Sequence, residues 1–142
     1  MIIKQVSVFL ENKSGRLSEV TEILGDAGIN ISAFTIADTS DFGILRLIVS
    51  EPEKAKEVLK QNSFSVQVTD VLLAKTPNKP GSLTRLLKII YDGGAFIEYM
   101  YAFSMGDDKA IIVIRPTEIQ KCMEILQNHQ DDFLVQDGSY SF

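Results

Sequence analysis

Val6, Val8 and Leu10 alternate with Ser7 and Phe9, a period of two that predicts a strand with one apolar face. From Leu17 the period lengthens. Leu17, Val20, Thr21 and Leu24 share one side of a helix, and Arg16, Glu19, Glu22 and Asp26 cover the others. Ser14 is the predicted N-cap, and Gly28 follows the helix where a left-handed residue costs little. A strand is expected from about Ile29 to Ala37, a turn from Asp38 to Gly43, and a strand from Ile44 to Val49 with the aliphatic content of a buried one. Pro52 opens a second helix with Ala55, Val58 and Leu59 inward and Lys54, Lys56, Glu57 and Lys60 outward. Phe64, Val66 and Val68 alternate again as a closing strand. The predicted order is β-α-β-β-α-β.

The pattern then recurs. Residues 11–31 read ENKSGRLSEVTEILGDAGINI and residues 77–97 read PNKPGSLTRLLKIIYDGGAFI. With Gly15 set on Gly81, an offset of 66, Asn12 meets Asn78, Lys13 meets Lys79, Leu17 meets Leu83, Asp26 meets Asp92, Gly28 meets Gly94 and Ile31 meets Ile97 without a gap. Two unrelated amphipathic helices could agree in apolar spacing. They would not also share an N-K-x-G opening and a D-x-G exit in one register, so the chain reads as a duplication. In the second copy the helices are predicted at 81–92 and 117–129 and the middle strands at 95–105 and 109–115. Two helices with one apolar stripe each need a common surface, which an antiparallel sheet supplies. The expected class is α+β: two ferredoxin-like βαββαβ domains, residues 1–69 and 70–142, with the helices on one face of each sheet. About 70 residues is a marginal size for one core, so pairing of copies and covered sheet edges are expected.

Composition narrows the chemistry. The chain has 142 residues, 14 Lys+Arg against 19 Asp+Glu and a net charge of -5, which disfavours nucleic acid as a partner. Tyr99, Tyr101 and Phe103 alternate on one strand face as RNA-binding aromatics do, but packing against helices or a partner sheet explains them without a basic surface. One Cys and one His exclude a disulfide framework and multi-histidine metal sites. No apolar run approaches the roughly 20 residues of a membrane span, and the N-terminus reads as a strand rather than a signal peptide. A reducing, cytoplasmic setting without membrane attachment is expected. Cys122 lies at an inward helix position with no His to activate it, and His129 sits at that helix's end, where a cation complements the dipole. Asp107-Asp108 and Asp131-Asp132 mark turns, at most a weak surface metal site. No constellation activates a nucleophile or a general base. The chain reads as no enzyme and needs no cofactor; a small carboxylate-dependent enzyme has nothing in its support.

The repeated helix opening can bind something. A helix N-terminus exposes unpaired N–H groups with about half a unit of positive charge. Gly15 and Gly81 allow a carboxylate close to the backbone, and Asn12 and Asn78 offer both a donor and an acceptor. A free amino acid asks for such a set. The plain alternative is a capping loop whose glycine merely eases a turn.

The string ENKSGRLSEVTEILGDAGINI with its β-β-α-β remainder resembles an ACT domain, a regulatory module attached to many enzymes of amino-acid metabolism, and the second copy resembles it more loosely. The resemblance covers nearly the whole chain and implies a stand-alone tandem ACT protein that binds an amino acid between two domains or subunits. It assigns ligand contacts to Asn12, Lys13, Ser14, Gly15, Arg16 and Leu17 of the loop and to Asn30 and Ile31 of the following strand. The matching positions of the second copy are Asn78, Pro80, Gly81, Ser82, Leu83, Phe96 and Ile97. Pro80 removes a donor and Phe96 replaces Asn30, so the first loop is expected to supply the main contacts and the strand from Phe96 to Phe103 apolar walls. The implied partners are a free amino acid, a second copy in a homodimer, and an enzyme of amino-acid metabolism; the apolar walls add the expectation that the ligand's side chain is bulky and apolar or aromatic. A ligand-free protein-interaction module is the competing expectation.

Overall fold

The computed structural model describes residues 1–104 and 108–142. Asp107 and the predicted end of the strand at 105 fall outside them. The elements are β1 (Ile2–Glu11), α1 (Arg16–Asp26), β2 (Ile31–Asp38), β3 (Phe42–Val49), α2 (Pro52–Gln61), β4 (Ser65–Pro77), α3 (Ser82–Asp92), β5 (Ile97–Ser104), β6 (Lys109–Pro116) and α4 (Ile119–Gln127). By contacts the chain forms two compact units. We call Lys4–Thr69 with Ser141–Phe142 the first, and Asp70–Tyr140 with Met1–Ile3 the second.

In the first unit the strand order is β2-β3-β1-β4. β1 and β3 run antiparallel from Val6–Leu47 to Glu11–Phe42, and β2 lies on the other edge of β3 with a register shift between Ile31 and Ala33. The period-two residues Val6, Val8, Leu10, Leu45, Leu47 and Val49 form one core with Val20, Leu24, Ala55 and Leu59 of the helices. In the second unit β4 pairs with β6 from Leu72–Ile114 to Pro77–Lys109, and β5 lies beyond β6 with the same shift between Ile97 and Tyr99. Its core joins Leu72, Ala74, Ile112 and Ile114 to Leu86, Ile90, Cys122 and Leu126. Each sheet is thus antiparallel and packs its helices with one face, the ferredoxin-like class.

The duplication extends to individual hydrogen bonds. At the α1 opening the Asn12, Lys13, Arg16 and Glu19 amides donate to the carbonyls of Asp41, Glu11, Lys13 and Gly15. At the α3 opening Asn78, Lys79, Ser82 and Arg85 donate to Asp108, Pro77, Lys79 and Gly81. At the other ends the Ile29 amide donates to Leu24 and the Ala95 amide to Ile90, past the left-handed Gly28 (φ 72°) and Gly94 (φ 76°).

Three expectations are corrected. The N-cap of α1 is Gly15 rather than Ser14, and no side chain caps the helix, because the left-handed Gly15 (φ 85°) turns its own carbonyl to the Glu19 amide. α4 is shorter than 117–129: the Thr117 amide is taken by the Phe96 carbonyl, 2.9 Å away, and Asn128 already ends the helix. The closing strand of the second copy is a single bridge, Ala74–Leu134. At that edge of β4, Leu73 donates to the Met1 carbonyl (2.8 Å) and accepts from the Val135 amide (3.3 Å). With Met1–Ile3 occupying part of the edge, little ladder remains for the closing segment.

Candidate functional site

Both helix openings are built alike, from a left-handed glycine at φ 85° and 86°. Among the described residues the Leu17, Ser18, Leu83 and Thr84 amides donate to no group of the chain, which leaves an unsatisfied, positively polarised helix tip in each copy. An ideal Cβ at Gly15 or Gly81 meets nothing within 4 Å, so approach from outside is open.

The side chains around the first tip are largely engaged. The Asn12 side-chain amide donates to the Ser40 carbonyl (3.1 Å) and pins the β2–β3 turn. Lys13 Nζ lies 2.6 Å from Glu11, whose carboxyl it holds below the usual carboxylate range, chiefly through that hydrogen bond. Arg16 reaches Glu11 at 3.7 Å and Glu19 at 3.2 Å, with its guanidinium 5.6 Å from the centre of the Phe64 ring. Asn30 sits beyond the other end of α1, its amide N–H donating to Ser50 Oγ (3.0 Å) and its carbonyl accepting from the Ser50 amide. An 11-residue helix is about 16 Å long, so within one unit Asn30 and Ile31 cannot meet the loop that carries Asn12 to Leu17.

Around the second tip, Asn78 and Leu83 line a cavity of about 370 Å³ together with Met100 and Tyr101 of β5. Phe96 is 68% exposed, and its carbonyl accepts from Thr117 as that of Asn30 accepts from Ser50. In the first unit Arg16 lines a cavity of about 400 Å³ with residues that the loop motif does not include. A larger cavity, about 740 Å³, opens below the end of α4 between Met123, Leu126 and the segment 129–137. Sequence gives no sign of it, since that segment reads only as a helix end followed by a turn at Asp131-Asp132.

The remaining candidate groups are accounted for. Cys122 is fully buried in the second core, and burial pushes its thiol up to about 11. His129 follows the Asn128 C-cap of α4. Its Nδ1 accepts from the Asp131 amide and lies 3.3 Å from the Asp131 carboxylate, which also pairs with Arg85 (2.5 Å). Among the described residues no three His, Cys, Asp or Glu side chains gather as metal ligands, and no helix is long and apolar enough to cross a membrane.

Because the space at Gly15 is open, a substitution there tests backbone strain alone. Gly15→Ala places a Cβ in left-handed backbone at a cost of about 1–2 kcal/mol. Urea unfolding should therefore show a lower midpoint at unchanged slope. Gly15→Val adds β-branching and should cost more.

Comparison with known proteins agrees with this architecture. A crystal structure of a Bacteroides thetaiotaomicron protein is 51% identical, covers 94% of this chain and 92% of its own, and superposes with a TM-score of 0.88. The regulatory subunits of aspartate kinase from Thermus thermophilus and Thermus flavus share the fold at 12% and 15% identity. They cover 92% and 89% of this chain and 96% and 94% of their own, with TM-scores of 0.63 and 0.65. No curated protein matches the chain. The description "ACT domain pair" matches residues 1–140, and the chain belongs to that family.

Proposed function

We propose that this protein is a regulatory amino-acid sensor without catalytic activity. The two modules, residues 1–69 and 70–142, hold the ligand at an interface between domains or between the subunits of a homodimer. The observation that carries the reading is the pair of helix tips with the same left-handed glycine and the same unengaged amides. Such a tip stabilises a carboxylate, and duplicated tips suit ligand exchange between neighbouring copies. Membership of the ACT pair family supports it, as does the likeness in fold to regulatory subunits of aspartate kinase. Asn30 and Ile31 would serve a tip on a neighbouring domain, since they cannot serve their own. An effector seated there shifts assembly only as far as it binds the two assemblies differently, and assembly would report to an enzyme of amino-acid metabolism in the cytoplasm.

Melting curves of the protein with each of the twenty amino acids test this. One or a few should raise the melting temperature with concentration and alter the oligomer measured by light scattering. Twenty flat responses at constant size would instead favour a ligand-free interaction module. Phe34 and Ile36, 64% and 43% exposed on the edge strand β2, support that second reading.

A further inference from the structure

Both units keep a cavity at one place in the fold, where the end of the opening strand meets the start of the third strand and the segment after the second helix. In the first unit it is about 400 Å³ and is lined by Phe9, Glu11, Arg16, Phe42, Phe64 and Ser65. In the second it is about 300 Å³. There, at the offset of 66, Lys75, Pro77 and Ser82 line it where Phe9, Glu11 and Arg16 stand in the first. The equivalence is exact in the ladders: Phe42 lies opposite Glu11, and Lys109 lies opposite Pro77. The fold therefore makes the hollow, and the lining is what differs.

The two linings differ in chemistry: the first is mainly aromatic and the second mainly charged. In the second unit Lys75, Arg85 and Lys109 line the hollow, and Lys75 pairs with Asp132 (2.7 Å) and Arg85 with Asp131 (2.5 Å). In the first unit three phenyl rings form the wall, and Phe9 and Phe42 remain 55% and 52% exposed. Arg16 and Glu11 stand at the rim 3.7 Å apart, both on exposed ion pairs, Glu11 with Lys13 (2.6 Å) and Arg16 with Glu19 (3.2 Å), that a ligand can exchange with. Lys13 keeps the Glu11 carboxylate ionised. Exposed rings around a hollow of this size, with one cation and one anion at its mouth, match the usual make-up of a small-ligand pocket: apolar walls and a few polar groups that fix orientation.

We propose that this first-unit cavity is the side-chain pocket for an amino acid bearing an aromatic ring, a specificity the second unit's equivalent cavity lacks. The inference rests on the amino-acid-sensor reading and deepens it. The ligand's carboxylate meets the unengaged Leu17 and Ser18 amides of the α1 tip beside the fork of Arg16, which stays over Phe64. Its ammonium takes Glu11. Its ring enters among Phe9, Phe42 and Phe64, where offset or edge-to-face packing favours an aromatic over an aliphatic side chain.

The test is isothermal titration of the full chain with L-phenylalanine, L-alanine and 3-phenylpropanoate, the last lacking the ammonium. Phe9→Lys, Phe42→Lys and Arg16→Ser put charged or polar side chains of the second lining into the first, at positions that are at least a third exposed and so leave the core intact. L-phenylalanine should bind at least tenfold more tightly than the other two, and each substitution should weaken it at least tenfold. Amide shifts in the bound state should centre on residues 63–65. Binding of L-phenylalanine, or of another amino acid, that Phe9→Lys and Phe42→Lys leave unchanged overturns the pocket and leaves the sensor reading standing. Absence of binding by every amino acid overturns both.

Discussion

Leu24→Ala is expected to destabilise the first unit by about 2–5 kcal/mol, the range for a fully buried leucine whose surroundings relax only partly. Leu24 has no solvent exposure and lies in the cluster that joins α1 to β1, β3 and α2. Its backbone carbonyl, which receives the Ile29 amide, is untouched by the substitution, so the effect isolates packing. Leu17→Ala, one helical turn from Val20 but 40% exposed, is the control and should cost well under 1 kcal/mol. Urea unfolding followed by circular dichroism measures both. A midpoint change of the same size for the two variants would contradict the assignment of the helix faces.

The second large effect is alkaline. The Cys122 thiol is pushed from 9.0 up to about 11 by burial in the second core. Below pH 9 the thiol is protonated in the folded and the unfolded chain alike and contributes no pH dependence. Between pH 9 and 11 the unfolded chain loses its proton and the folded one keeps it, so the native state binds more protons and stability falls as pH rises. The slope approaches 1.4 kcal/mol per unit, about 2–3 kcal/mol in all. Cys122→Ala should remove this decline while lowering stability at neutral pH through the small cavity it leaves. Unfolding free energies of both proteins at pH 8, 9, 10 and 11 decide the matter, and parallel curves would place the alkaline loss elsewhere. In the native protein at pH 8 a thiol reagent should also react slowly, and quickly once urea is added.

Much of the fold is legible because apolar period tracks burial closely here. Val20 and Leu24 of α1, Ala55 and Leu59 of α2, Leu86 and Ile90 of α3 and Cys122 and Leu126 of α4 are the buried residues of their helices, each spaced by four. The offset of 66 is legible because glycine can hold φ near 85°, so one residue fixes where each helix must open. The same glycine misdirects a capping argument: once its carbonyl closes the first turn, Ser14 has no task. The need for a glycine at Gly93 is equally invisible in one dimension. A Cβ there would come within 2.6 Å of Ile125 Cδ1, so the glycine answers a residue 32 positions later.

The candidate site was legible only in its tips. A loop motif exposes Asn12, but only coordinates reveal that the Asn12 amide is spent on Ser40 across a turn. The aromatic-lined cavity draws on 9–11, 16, 42 and 63–65, four stretches with no shared period, and each phenylalanine alone reads as core or as a stray surface ring. What unites them is the antiparallel pairing that brings Phe42 opposite Glu11.

The passage from Thr69 to Asp70 falls inside β4, a strand of 13 residues. A recombination breakpoint at that passage would leave five of its residues with one descendant and eight with the other, and would separate Leu73 from the Met1 carbonyl. Neither half could be shuffled into a new gene as a ready-made cassette. The doubling, once made, is inherited whole.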